Sequence, residues 1–120
     1  MSLSDSDAPY TKLPSGLQYR VIRDGDGGEK PAASSTVTVH YTGVLEDGEV
    51  FDTTSEDGDP ATFPLRRVIK GWTEGLQLMT KGAIFQFVIP HELAYGARGA
   101  GDDIPPYETL TFEVELLSFK

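Results

Sequence analysis

Few side chains in this 120-residue sequence stand where covalent chemistry could be done. There is no cysteine, which excludes thiolate nucleophiles, disulfides and cysteine metal sites. The two histidines, His40 and His91, lie in different segments, and a zinc site needs more ligands at recognisable spacing. Neither Asp57-Gly58-Asp59 nor Asp102-Asp103 opens a twelve-residue loop ending in a bidentate glutamate, the pattern of a calcium site. The tracts Asp24-Gly25-Asp26-Gly27-Gly28 and Gly96-Ala97-Arg98-Gly99-Ala100-Gly101 lack the strand–loop–helix context in which backbone N–H groups cradle phosphate. No serine sits in a nucleophile elbow. His40 falls on the polar side of an alternating strand, where a surface or hydrogen-bonded histidine is the ordinary outcome. No metal and no cofactor is expected.

The aromatic residues are more informative. Tyr41, Phe51, Phe63, Trp72, Phe85, Phe87, Tyr95 and Phe112 fall on nearly every segment expected to face a core. Filling that core is the simplest account of them. Two features lean toward a ligand pocket. Trp72 is the single tryptophan and lies on the one clear helix pattern. Tyr41 and Tyr95 carry hydroxyls, and a buried hydroxyl needs a partner. An apolar pocket with a few fixed polar groups is the usual form of a ligand site.

The segments that must position these residues follow from periodicity. Residues 17–23 and 36–45 alternate as strands, with Val37, Val39 and Tyr41 on one face of the second. Glu46-Asp47-Gly48 predicts a hairpin turn into a return strand, Val50-Phe51-Asp52-Thr53-Thr54. Residues 55–61 read as a polar loop. Thr62-Phe63-Pro64-Leu65 is extended, and Pro64 implies an edge. Val68, Trp72, Leu76 and Met79 form the apolar stripe of a short helix, with Gly82 as its stop. Phe85, Phe87 and Ile89 alternate in a strand, as do Leu110, Phe112, Val114 and Leu116. Between them, residues 91–106 form a long Gly/Pro-rich loop with one helical turn near Glu92, and long loops are usually functional. About five strands and one helix make an α+β fold. Residues 1–16 read as a flexible arm and 17–120 as the single domain.

Nineteen acidic against ten basic side chains leave a net charge of −9. That argues against nucleic acid and against an anionic membrane surface as partners. It reads simply as solubility. No apolar run reaches the ~20 residues that span a bilayer. Residues 1–7 have neither a basic nor an apolar leader region. The chain as given is expected to be soluble and cytoplasmic, or periplasmic or secreted if a leader was removed.

Several motifs together resemble one family. They are Val37-Thr38-Val39-His40-Tyr41-Thr42-Gly43, Asp47-Gly48, Val50-Phe51-Asp52-Thr53-Thr54, Val68-Ile69-Lys70-Gly71-Trp72-Thr73-Glu74-Gly75-Leu76, Ile89-Pro90, Ala94-Tyr95-Gly96, Ile104-Pro105-Pro106 and residues 109–117. In this order and spacing they resemble the FKBP (tacrolimus-binding) peptidyl-prolyl cis-trans isomerases. The opening Pro14-Ser15-Gly16-Leu17-Gln18-Tyr19 is similar to the bacterial, Mip-like branch.

The resemblance implies a twisted antiparallel sheet of five or six strands wrapped around one short helix. It implies a proline-binding pocket formed by Tyr41, Phe51, Asp52, Val68, Ile69, Trp72, Tyr95, Ile104 and Phe112. Trp72 would be its floor, the Ile69 backbone N–H and the Tyr95 hydroxyl would donate to ligand carbonyls, and Asp52 would contact Tyr41 or ligand. Tyr41, Phe51, Asp52, Ile69, Trp72, Tyr95 and Phe112 carry the implied catalytic role; Val68 and Ile104, with Tyr41 and Trp72, bind substrate. The implied partners are proline-containing peptides and unfolded proteins, with tacrolimus- or rapamycin-like macrolides as inhibitors. The Mip-like branch dimerises through an N-terminal helical region, so this chain is expected to be a monomer. Three positions depart from the family pattern. Ala61 stands where an aromatic wall residue is usual. Arg66-Arg67 occupies a shortened link where an acidic residue is common. Asp103 precedes Ile104 where an apolar residue is frequent. These departures leave a catalytically weak proline-binding module of the same fold as the alternative.

Overall fold

The computed structural model describes residues 3–54 and 58–120. Residues 55–57 of the expected polar loop, including Asp57 of the first acidic tract, lie outside the described residues. Seven strands and one helix follow in order: β1 Thr11–Lys12, β2 Gln18–Arg23, β3 Thr36–Val44, β4 Val50–Thr53, β5 Ala61–Pro64, α1 Lys70–Leu76, β6 Ile84–Ile89 and β7 Leu110–Phe119. They form one antiparallel sheet ordered β1-β2-β6-β7-β3-β4, with β5 also on β3. This is the expected α+β architecture. The strand count rises because β1 is only two residues long and because one edge of β3 is shared. Thr36 to Val39 of β3 pair with β5, and Thr42 to Val44 pair with β4.

β3 is the centre of the sheet. Its other edge pairs with β7 from Val37↔Phe119 to Val44↔Thr111, with a bulge between Thr38 and Val39. The alternation that predicts it is also what buries it, for Val37 and Val39 are fully inside. At the hairpin between β3 and β4, Gly48 adopts φ 89°, which a side chain at that position would oppose. β6 turns Phe85, Phe87 and Ile89 toward the helix side of the sheet, and β7 adds Leu110, Phe112, Val114 and Leu116. The core lies between that face and α1.

The helix is shorter than its stripe. Seven residues including two glycines have little intrinsic helix stability, so packing holds it. Val68 precedes it in an extended conformation, and Met79 follows it in a turn closed by its N–H to the Leu76 carbonyl. Met79 is nonetheless fully buried. The stripe therefore reported which residues go inside but not which are helical. Thr73 ties the helix to the preceding 3-10 turn Leu65–Arg67, its Oγ1 donating to the Leu65 carbonyl at 2.6 Å. Gly71 and Gly75 let α1 lie directly on β6. A Cβ at Gly71 would come 2.5 Å from Ile89 Cγ2, and one at Gly75 2.6 Å from Phe87 Cε1.

The first sixteen residues have contacts to the outer face of the sheet from Ser4 onward. Gln86, fully buried on that face, donates to the Ser4 carbonyl and to Glu113, and accepts from Arg20 and Tyr10. The Arg20 guanidinium lies 4.4 Å above the Tyr10 ring. Thr11 and Lys12 then pair with Tyr19 and Gln18. Among the described residues no helix is long and apolar enough to cross a membrane.

Candidate functional site

A cavity of about 500 Å³ opens between α1 and the sheet. Its floor is Trp72, second buried residue of the helix and 4% exposed. Three rings stand edge-on to the indole. Tyr41 from β3 is 5.1 Å away at 87°, Phe112 from β7 5.3 Å at 84°, and Phe63 from β5 5.6 Å at 87°. Phe51 from β4 extends the wall, 5.5 Å from Phe112. Edge-to-face pairs hold one another in place at about 0.5–1.5 kcal/mol each beyond burial. The wall is therefore fixed before any ligand arrives. Val68, Ile69, Ala94 and Tyr95 complete the rim, together with Asp52 and Arg67.

The polar groups are few and placed. The Tyr41 hydroxyl donates to Asp52 Oδ2 at 2.6 Å. The Tyr41 hydroxyl has its pKa pushed well above its ordinary value, first by burial and then by that bond and the nearby Asp52 charge. Tyr95 is raised too, first by burial and then by the Asp52 charge. Its hydroxyl has no hydrogen-bond partner among the described residues, and its side chain stays 40% exposed. The Ile69 carbonyl accepts from Trp72 and Thr73, while the Ile69 N–H donates to no acceptor among the described residues. Two donors on residues that line the cavity are thus left without a partner among the described residues.

The loop that carries Tyr95 is built by local bonds. A 3-10 turn His91–Leu93 stands where one helical turn was expected, and a second, Gly96–Arg98, follows Tyr95. Tyr107 N–H donates to the Gly96 carbonyl at 2.8 Å, and Ala100 and Ile104 exchange a pair of backbone bonds.

Eight of the nine expected pocket residues meet at this cavity: Tyr41, Phe51, Asp52, Val68, Ile69, Trp72, Tyr95 and Phe112. Ile104 does not line it. It bridges by backbone to Ala100 and belongs to the buried core, 5% exposed. Phe63, Arg67 and Ala94 line it unexpectedly. Phe63, two residues along β5 from Ala61, supplies an aromatic on that side of the cavity. Among the described residues, no three His, Asp or Glu side chains lie close enough to hold a metal ion.

A family model described as FKBP-type peptidyl-prolyl cis-trans isomerase matches residues 27–117, which span every element that lines the cavity. The chain belongs to this family. Its FKBP-type relatives include the outer membrane protein MIP of Legionella longbeachae, 51% identical over all of this chain and 51% of that protein. Another is the FKBP-type 22 kDa peptidyl-prolyl cis-trans isomerase of Escherichia coli K12, 57% identical over 86% of this chain and 50% of that protein. The chain spans about half the length of these curated relatives. The crystal structure of a peptidyl-prolyl cis-trans isomerase from Pseudomonas syringae pv. tomato str. DC3000 superposes with a TM-score of 0.85 at 42% identity. The match covers 92% of this chain and 80% of that one. The resemblance to the Mip-like branch agrees with these relatives.

The FKBP-type pocket makes a titration testable. Both Tyr41 and Tyr95 are expected to stay protonated above 10.0, the ordinary tyrosine value. A raised folded value means that the protonated form is favoured in the folded state. That contribution is present below 10.0 and is lost as pH rises through the folded value. In Asp52→Asn the charge goes and the bond to the hydroxyl becomes a weaker neutral one while burial stays, so Tyr41 should ionise lower, still above 10.0. Tyrosinate absorbance, compared between each protein and its Tyr41→Phe counterpart, reads this directly. An unchanged Tyr41 titration in Asp52→Asn would contradict it.

Proposed function

We propose that the chain accelerates rotation about X-Pro peptide bonds and so assists protein folding. The observation that supports this most is the cavity floored by Trp72, with three aromatic edges around it and two donors on its lining residues that have no partner among the described residues. A pyrrolidine ring fits an apolar aromatic floor. The Ile69 N–H and the Tyr95 hydroxyl would hold the carbonyls on either side. Rotation about the X-Pro bond crosses a barrier of ~18–20 kcal/mol and takes tens of seconds or longer unaided. No bond breaks, so no nucleophile and no proton transfer is required. The planar amide is polar through resonance, and the twisted amide is not. An apolar pocket therefore disfavours the planar state relative to the twisted one, which is selective binding of the transition state. Every ~1.4 kcal/mol of that difference is a tenfold gain in rate.

Proline-containing peptides and unfolded proteins are the substrates in this reading. Tacrolimus- and rapamycin-like macrolides would compete for the same cavity. The chain by itself is a monomer in this reading. NMR exchange on short X-Pro peptides, with catalytic amounts of protein, tests the proposal. Acceleration that a macrolide abolishes supports it. Binding without acceleration would leave a proline-recognition module.

A further inference from the structure

Among the described residues, Arg67 is the one cationic side chain lining the cavity. It belongs to the 3-10 turn Leu65–Arg67, is exposed, and has no ion-pair partner among the described residues. The other charged group of the cavity, Asp52, is engaged by the Tyr41 hydroxyl. An unpaired guanidinium at the mouth of an apolar pocket, on a chain of net charge −9, is a local exception to the protein's field. Its neighbour Arg66 is also exposed but does not line the cavity.

We propose that Arg67 is a specificity-determining residue that selects substrates with a carboxylate side chain beside the proline. This rests on the isomerase reading of the same cavity and names the substrate class it favours. The fork of a guanidinium matches a carboxylate in two parallel hydrogen bonds. With the proline ring over Trp72, the residues adjoining it are those that reach the rim. The net negative charge slows the encounter of acidic peptides in general, so a preference for them has to come from contact and not from steering.

The test compares peptides with Glu, Gln or Lys directly before or directly after the proline, in wild type, Arg67→Gln, Arg67→Glu and Arg66→Glu. Arg66→Glu makes the same change in net charge one residue away and is the control. Exposed ion pairs give about a two- to fivefold effect, so kcat/KM for Glu over Gln should rise by that factor at one of the two positions. It should vanish in Arg67→Gln, invert toward Lys in Arg67→Glu, and persist in Arg66→Glu. It should also shrink toward unity at high salt, where the screening length falls to about 3 Å. Equal shifts in Arg66→Glu and Arg67→Glu would overturn the proposal in favour of overall charge, as would a ratio of one throughout. Absence of acceleration with the Gln peptides would be a failure of the isomerase reading instead. The same Glu-to-Gln comparison is then read in Kd from Trp72 fluorescence, with the same outcomes for and against.

Discussion

Trp72→Ala is expected to lower kcat/KM on X-Pro peptides by about ten- to a hundredfold, the largest functional effect of any single change in the cavity. Trp72 touches three of the four aromatic walls edge-on. Its removal opens the floor and frees Tyr41, Phe63 and Phe112 to lean inward. The proline ring then loses its apolar support, and the twisted amide loses the environment that favours it. Burying a tryptophan normally contributes about 3–5 kcal/mol relative to alanine. Here the indole Nε1 is buried without a partner among the described residues, and an unpaired buried donor costs about 1–3 kcal/mol. The substitution removes that donor together with the ring. Net destabilisation should therefore be nearer 2 kcal/mol, small enough for a folded variant at room temperature. Chemical denaturation, followed by circular dichroism because the single tryptophan is gone, measures the stability; NMR exchange measures the activity. A folded variant with wild-type kcat/KM would remove Trp72 from the mechanism.

Most of the scaffold behind this floor is legible in the sequence, for a physical reason. β3, β6 and β7 each have one face against the core, and burial imposes an alternation of period two that anyone can count. The helix is legible as a stripe and not as an element. Burial at Trp72, Leu76 and Met79, and in part at Val68, depends on reaching the core, while helical geometry over Lys70–Leu76 depends on local hydrogen bonds. The residues alone only lean toward a pocket and the resemblance supplies the rest, since Tyr41, Trp72 and Phe112 have the same residue types as core-filling aromatics. Ile104 packs in the core cluster and bridges by backbone to Ala100, a pairing that no side-chain pattern announces. Phe63 and Arg67 show the converse. They face the cavity because β5 shares an edge of β3 and a 3-10 turn follows it, and the exact register of that short edge has no periodic signal. The contacts of Ser4 and Tyr10 with Gln86 are silent in the sequence too, being made by backbone and polar groups and not by an apolar stripe.

Gly75→Ala should destabilise the protein by about 2 kcal/mol, against the direction that helix propensity alone would give. In an exposed helix the change would stabilise by about 1 kcal/mol. At Gly75, however, a Cβ would meet Phe87 Cε1 at 2.6 Å and Cδ1 and Cζ at 3.0 Å. The Phe87 ring is fully buried and has no free end to swing aside. Either the ring leaves its rotamer or α1 rises from β6, and overpacking of this kind costs about 1–3 kcal/mol or more. The cause can be separated from the effect by a cycle. Phe87→Leu alone leaves a gap and should cost about 1–2 kcal/mol. Combined with Gly75→Ala, the new methyl enters that gap, and the double variant should be more stable than the sum of the two losses by about 1 kcal/mol or more. Denaturant midpoints of the four proteins give the coupling, and strict additivity would show that Phe87 is not what opposes a side chain at Gly75. The cycle also reaches function. Trp72 lies one helical turn from Gly75, so lifting α1 from β6 shifts the floor relative to Tyr41 and Phe112. Misplacement of a binding group by about 1 Å can cost up to a hundredfold in rate. Activity should therefore fall in Gly75→Ala and recover in part with Phe87→Leu, tying the packing of a glycine outside the cavity to the chemistry within it.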